Sequence, residues 1–188
     1  MPQLQPTLWR TCRALANRRR LQILALLVDH GAQTVTSVAG TLQLGLPATS
    51  QYLRGLEARG FLVVQRKGRH VRYRLADQTA ATRVAPLLSC LRPNLKQGKA
   101  SWEKVFRAVT AFTHPTRIEI ARLLRAKPLA LYELQTATGR SSTSVFRQIR
   151  KLETRGFVRV CEGVCELVWN KDPLSDTLLH MACDPSIA

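Results

Sequence analysis

A cluster of short polar, amide and guanidinium side chains lies in the first half of the chain. Its members are Ala48, Thr49, Ser50, Gln51 and Arg54. The amide of Gln51 can pair at two points with the edge of adenine, and the guanidinium of Arg54 can do the same with guanine. Either group can also hold a phosphate. The cluster is therefore a candidate for reading base edges, and a predicted helix over 46–59 would carry it.

A basic turn follows shortly afterwards, over residues 65–72. Its cations are Arg66, Lys67, Arg69 and Arg72, with His70 among them. The flanking segments, 61–64 and 71–75, are rich in apolar and β-branched residues and predict the two strands of a hairpin. Cations at the tip of a hairpin are suited to phosphate oxygens.

A second cluster of the same kind lies in the other half of the chain, on a predicted helix over 141–155. Its members are Ser142, Thr143, Ser144, Arg147, Gln148, Arg150 and Lys151. The hairpin predicted after it carries Glu162 and Glu166 where the first hairpin carries arginines, and acids repel phosphates. We expect the second cluster either to bind nucleic acid more weakly than the first or to serve partly in pairing.

The two halves are copies of one unit. The sequence Arg59-Gly60-Phe61 recurs as Arg155-Gly156-Phe157, and Arg20 and Ile23 recur as Arg117 and Ile120. Two copies of about 90 residues account for almost the whole chain, which indicates a duplicated domain rather than a solenoid. We expect one domain over 1–94 and another over 99–188.

Each copy predicts the same order of elements: two helices, a short helix, a turn, a further helix and a hairpin. The second helix of the first copy illustrates the signals, because Asn17 can cap its start, Leu21 and Leu24 keep a helical period, and Gly31 can end it. This order is that of a winged helix-turn-helix, in which one helix presents side chains to the major groove and the hairpin reaches phosphates. The predicted fold is mainly α with small β wings (α+β), in two tandem copies.

Composition supports a polyanionic partner. The chain of 188 residues has 29 Lys and Arg against 12 Asp and Glu, and a formal net charge of +17. Aromatic residues make up only 6% of it, which argues against proteins that stack single-stranded bases, and 45% is hydrophobic, as in globular domains. Residues 1–98 hold 15 of the cations against 3 acids. Double-stranded DNA is the expected partner; the lack of a long apolar run predicts no membrane association and a cytoplasmic protein.

The residues also resemble a known family, the ArsR-type transcriptional repressors. The segment His114-Pro115-Thr116-Arg117-Ile118 is similar to that family's D-P-T-R-L pattern, and Ser141-Ser142-Thr143-Ser144-Val145 to its recognition-helix pattern. The segments 15–24 and 48–56 echo the same two patterns. The resemblance implies a repressor that binds a palindromic operator as a dimer and releases it on a signal. A chain with two copies resembles a covalent pseudo-dimer. Self-association would use the first and last helices of each copy. The last helices are expected near 78–92 and 174–183.

Departures from the family matter as well. Many members bind metal through a C-x-C pair, whose positions here are Thr34 and Thr36, and Ala130 and Tyr132. Thiolate ligation is impossible there, so no metal or other cofactor is predicted. Phe146 also stands where family members carry a small polar residue early in the recognition helix.

The five cysteines form no regular framework. Cys161 and Cys165 flank a three-residue loop, so they could form a thiol sensor; the alternative is two small strand residues, one half-buried. Asp176, His180 and Cys183 have the spacing of one helix face but lack a partner set of metal ligands.

Three functions remain open, none of them enzymatic, because the sequence has no phosphate-binding glycine loop or nucleophile motif. The favoured interpretation is a sequence-specific transcriptional regulator, a repressor. A winged-helix protein-docking module is the second, although such modules need no basic recognition surface. A non-specific nucleoid-type DNA binder is the third, and its affinity would depend steeply on salt.

Overall fold

The computed structural model describes residues 7–68, 70–77, 83–169 and 171–184. These residues form two compact units. One is Ala14–Phe106, and the other joins the described residues of Met1–Arg13 to those of Arg107–Ala188. This division differs from the expected domains 1–94 and 99–188 at two places: residues up to 13 are grouped with the second copy, and residues 99–106 are grouped with the first.

The elements of the first half follow in chain order. They are α1 (Leu8–Leu15), α2 (Arg18–His30), β1 (Gln33–Thr34), α3 (Val35–Leu42), α4 (Leu46–Glu57), β2 (Leu62–Lys67), β3 (His70–Leu75) and α5 (Ala85–Lys96). The predicted helix over 46–59 is therefore α4, two residues shorter at its C-terminus. The early part of the predicted last helix, 78–82, lies outside the described residues.

The second half repeats that order. Its elements are α6 (Lys99–Ala111), α7 (Pro115–Ala126), β4 (Leu129–Ala130), α8 (Leu131–Thr138), α9 (Ser142–Glu153), β5 (Val158–Cys161), β6 (Val164–Leu167) and α10 (Pro173–Cys183). Within the described ranges the chain is thus mainly helical with two small antiparallel sheets. This is the α+β fold of a winged helix-turn-helix, as the sequence predicted.

Capping residues explain where the second helix of each copy begins. The side chain of Asn17 accepts a hydrogen bond from the Arg20 N–H at 3.1 Å, as predicted for an N-cap. His114 has the same role in α7, where its Nδ1 accepts from the Thr116 N–H at 3.2 Å. Pro115 then occupies the first helical turn, where its missing N–H costs nothing.

The recurring Arg-Gly-Phe triplet ends the fourth helix of each copy. Gly60 has φ +77° and Gly156 has φ +81°, the left-handed conformation that glycine adopts without strain. The following Phe N–H reaches back to a helical carbonyl, Leu56 O at 3.1 Å and Leu152 O at 3.0 Å. This is the Schellman arrangement, and it explains why the triplet is repeated.

Each hairpin belongs to a three-stranded sheet, with strand orders β1-β3-β2 and β4-β6-β5. The two-residue strands β1 and β4 were not expected from the sequence, because they are too short to show a period. The first hairpin has six-residue strands and the second has four-residue strands. The first therefore projects further from its sheet.

The core of each unit is aliphatic with a few aromatic rings. Leu53, Leu56 and Phe61 are fully buried in the unit of α4, and Phe112 meets Phe157 edge-on in the other, with ring centroids 4.8 Å apart. None of the helices in the described ranges is long and apolar enough to cross a membrane.

Candidate nucleic-acid interface

The α4 helix has one covered face and one open face. Thr49, Leu53 and Leu56 are buried, which leaves Gln51 and Arg54 on the exposed side. Ala48 and Ser50 are half-buried at the margin between the two faces. The structure therefore brings four of the five predicted residues of this cluster to one accessible strip.

Thr49 is the exception, and its inclusion in the predicted site is corrected. Its side chain is 0% exposed, and its hydroxyl donates to the carbonyl of Gly45 at 3.0 Å. The hydrogen bond satisfies the hydroxyl within the helix's own first turn. Thr49 thus helps to seat the start of α4 rather than facing outward.

Arg54 is held by a neighbour one turn away. Its Nε and Nη2 both donate to the hydroxyl oxygen of Ser50, at 3.2 Å and 2.9 Å. Ser50 is uncharged, so this contact orients the guanidinium without forming an ion pair. A cation oriented in this way pays less entropy when it meets a base edge or a phosphate.

The first wing presents cations on both faces of its ribbon. In the hairpin register Arg66 lies opposite Val71, and Arg72 lies opposite Gln65. Because opposed residues share a face and neighbours alternate, Arg66 and Arg72 point to opposite faces. Both side chains are exposed. Lys67 ends β2, but its side chain and the whole of Arg69 lie outside what the structure describes.

The α9 helix divides in the same way. Val145, Ile149 and Leu152 are buried, and the predicted residues Ser142, Thr143 and Arg147 are exposed. Ser144 is half-buried, and its N–H donates to the hydroxyl of the N-cap residue Ser141 at 3.4 Å. The start of α9 therefore has an open polar surface like that of α4.

Gln148 does not belong to that surface, which corrects a second predicted residue. Its side chain is only 4% exposed, and its Oε1 accepts a hydrogen bond from Nη1 of Arg117 at 2.8 Å. The buried amide ties α9 to α7, so it is committed to internal packing.

Arg117 is a buried positioning residue that the sequence interpretation used only as a repeat marker. Besides Gln148 it donates to the carbonyls of Ala111 and Thr110 and to the hydroxyl of Thr113. Burial is the main cause that lowers the pKa of its guanidinium to about 10. Its counterpart Arg20 donates to the carbonyl of Ala14 at 3.1 Å. The recurrence of an arginine at one position of both copies was the available signal.

The remaining cations near α9 differ in how free they are. Arg147, Arg150 and Lys151 are all exposed, and Arg150 is also paired with Glu153 at 2.9 Å. Partial burial, followed by repulsion from Arg117 and Arg147, lowers the pKa of Lys151. The exposed surface of α9 therefore lies in a positive electrostatic field.

The second wing lacks this positive character. Arg159 is paired with Glu166 at 2.6 Å, and the tip residue Glu162 is exposed. The expected acidic wing is therefore present, although one of its two acids is neutralised by Arg159.

The predicted thiol sensor is wrong in its geometry. Cys161 lies opposite Val164, and Cys165 lies opposite Val160, so the two sulfurs point to opposite faces of the hairpin. Cys161 is exposed and Cys165 is buried, and this burial raises the pKa of the Cys165 thiol. A disulfide between them would require the hairpin to be rebuilt.

The helix face of Asp176, His180 and Cys183 also forms no ligand set. Cys183 is buried and its thiol donates to the carbonyl of Ala121 at 3.7 Å, while His180 is exposed. No group of three or more metal-ligating side chains occurs among the described residues.

Comparison with known proteins finds a local similarity to a transcriptional regulator. No protein-family model matches the chain. Over 72 residues the chain is 38% identical to the HTH-type transcriptional regulator Rv0324 of Mycobacterium tuberculosis, a match that covers 38% of this chain and 31% of that protein. The chain thus matches about a third of that relative's length. This local similarity, together with the winged helix-turn-helix fold, supports a DNA-binding regulator.

Proposed function

We propose that the protein is a sequence-specific, double-stranded DNA-binding transcriptional regulator that acts as a repressor. The observation that carries the proposal is the open strip of α4, where Gln51 and Arg54 are exposed on a helix of the helix-turn-helix. That strip lies on the element that enters the major groove in this fold.

The side chains of α4 divide by role. Gln51 and Arg54 supply the two-point donors and acceptors that distinguish adenine and guanine, and Ala48 and Ser50 are small enough to allow close approach. On the wing, Arg66 and Arg72 would hold phosphates on either side of the ribbon, and Lys67 and Arg69 lie between them in the sequence. The wing positions the protein, and the helix reads the sequence.

The second copy contributes a smaller interface. Its contact residues are Ser142, Thr143, Ser144, Arg147, Arg150 and Lys151. Arg150 is partly neutralised by Glu153, and the wing carries an acid at its tip. Fewer phosphate contacts mean fewer released counterions, so this copy adds less to the total affinity.

We further propose the ArsR-like, tandem form, with pairing through the first and last helices of each copy (α1, α6, α5 and α10). The repeated order of elements and the shared Arg-Gly-Phe helix ends support a duplication. The grouping of α1 with the second copy supports pairing within one chain. A regulator of this kind, rather than an enzyme or a docking module, also accords with the HTH-type relative.

The test is selection of binding sites from a random double-stranded DNA pool at near-physiological salt with competitor DNA. We expect one enriched motif. Arg54→Ala should weaken binding to that site about tenfold to a hundredfold, because a good two-point base contact contributes about 1–3 kcal/mol. Lys171→Ala, which removes an exposed cation from the segment between β6 and α10, is the charge-matched control and should change affinity much less.

Other results would favour the competing functions. Retained binding without an enriched motif, and equal losses on all sequences for both variants, would favour a non-specific DNA binder. The absence of binding to any duplex would favour a protein-docking module.

A further inference from the structure

We propose that the two recognition helices read different base sequences, so that the binding site on DNA is not a palindrome. The α4 half would be read by the amide of Gln51 and by Arg54. The α9 half would be read by the ring of Phe146, against a thymine methyl group, and by Arg147, on guanine. The inference rests on the proposed function and specifies the ligand of the same surface.

The internal repeat makes the difference visible. When the two copies are aligned on the helix ends at Gly60 and Gly156, Ser50 is equivalent to Phe146 and Gln51 is equivalent to Arg147. The buried positions correspond as well, because Leu53 and Leu56 of α4 match Ile149 and Leu152 of α9. The helices are therefore seated alike but present different chemistry.

Phe146 is the most unusual of these side chains. It is 53% exposed on the polar face of α9, where it gains little from packing. Phenyl rings on a recognition helix can contact the C5-methyl group of thymine, which the other three bases lack. Ring and guanidinium are adjacent in sequence, so Phe146 and Arg147 would specify neighbouring positions.

The surroundings of Phe146 favour DNA over an apolar protein partner. Phe146 is flanked on α9 by exposed cations, because Arg147 follows it in the chain and Arg150 lies four residues further along the helix. An aromatic ring among several cations is well placed against a polyanion. A purely apolar docking surface would have to desolvate those charges.

The two wings also differ, in strand length and in charge. The first has six-residue strands and exposed arginines, whereas the second turns at Glu162 and Gly163, with φ +50° and +80°, after four-residue strands. Both hairpins turn in two residues, so the second wing is shorter because its strands are shorter. Phosphate contacts should therefore extend further beyond the α4 half of the site than beyond the α9 half.

The experiment uses the full chain and the same selection, carried out on three proteins. The double variant Phe146→Ser/Arg147→Gln places on α9 the side chains found at Ser50 and Gln51. Tyr132→Ser is the control, because Tyr132 is a 68% exposed aromatic on α8, outside the recognition helix. Thermal unfolding of all three proteins checks that the folds are intact.

We expect the natural chain to select two dissimilar half-sites. The double variant should lose about tenfold in affinity for that site, and it should select a new site whose halves resemble each other more closely. Tyr132→Ser should select the original site. Hydroxyl-radical footprinting should show protection that extends further on the α4 side.

Three outcomes would overturn the inference. If the natural chain selected a palindromic site, the proposed function would stand, but the inference that α4 and α9 read different base sequences would be refuted. A single half-site unchanged by the double variant would mean that α9 reads no bases and that Phe146 serves another partner. The absence of any enriched motif would refute the proposed function itself.

Discussion

At the scale of single residues, burial divides the polar side chains of the two proposed recognition helices into internal ones and exposed ones that are available to DNA. Arg117 and Gln148 lie inside, joined at 2.8 Å, while Gln51 and Arg147 lie outside. Buried polar groups must be hydrogen-bonded, and this pair satisfies that demand for both helices. The Arg117–Gln148 pair thereby holds α9 against α7.

The residue-scale prediction concerns Arg117. Arg117→Met keeps much of the side-chain volume but leaves Gln148 Oε1 and the nearby carbonyls without their donor. We expect the free energy of unfolding to fall by about 2–3 kcal/mol, since each buried acceptor left unpaired is costly. Urea unfolding followed by circular dichroism measures the change. Arg147→Met, at an exposed position of α9, should stay within about 0.5 kcal/mol of the natural chain. Equal losses in the two variants would contradict the structural role of Arg117.

At the scale of elements, the two copies solve the same capping problem with different residues. Asn17 caps α2 with an amide oxygen that does not titrate, whereas His114 caps α7 with an imidazole nitrogen. Burial, followed by the charge of Arg117 and nearby cations, lowers the pKa of His114. The second cap is therefore sensitive to acid and the first is not.

The element-scale prediction is a pH dependence. Protonation of the His114 Nδ1 removes the hydrogen-bond acceptor. The imidazole takes up this proton more readily in the unfolded chain, because its pKa is higher there than in the folded protein. The contribution of the cap is present above the ordinary histidine pKa and is lost as pH falls through the lowered value. Thermal midpoints measured from about pH 7.5 down to pH 5 should fall further for the natural chain than for His114→Asn, which copies the cap of α2. Parallel curves for the two proteins would refute the role of His114.

At the scale of the whole molecule, the compact units do not coincide with the sequence copies. Leu8 and Cys12 of α1 are buried, and the unit to which they belong also contains α7 and α9. Burial raises the pKa of the Cys12 thiol, and the charge of Arg117 opposes this effect. Residues 8–13 of α1 thus belong to the compact unit that contains most of the second copy.

The whole-molecule prediction follows from that membership. Leu8→Ala should destabilise the unit of residues 107–184 by about 2–4 kcal/mol, because it opens a cavity in that core. Hydrogen–deuterium exchange should accelerate in α7 and α9 more than in α4. Leu53→Ala is the matched control in the other unit and should show the reverse pattern. Faster exchange in α2 and α4 alone after Leu8→Ala would place α1 with its own copy.

Much of the architecture was predictable because its causes are local. Helix caps at Asn17 and His114, the glycine that ends each recognition helix, and the alternation of the hairpin strands depend on residues close together in the chain. The duplication could be read directly, since the same local signals occur twice. These signals were enough to predict the winged helix-turn-helix and the location of its recognition helices.

Long-range contacts decided the rest. Thr49 and Gln148 are polar residues on recognition helices, and only packing against the rest of each unit shows that they face inward. The strand register separated Cys161 from Cys165, although three residues lie between them. Membership of α1 in the second copy's core depends on burial shared between residues far apart in the chain. Periodicity specifies that a helix has two faces, but which face is covered, and by what, is a property of the assembled core.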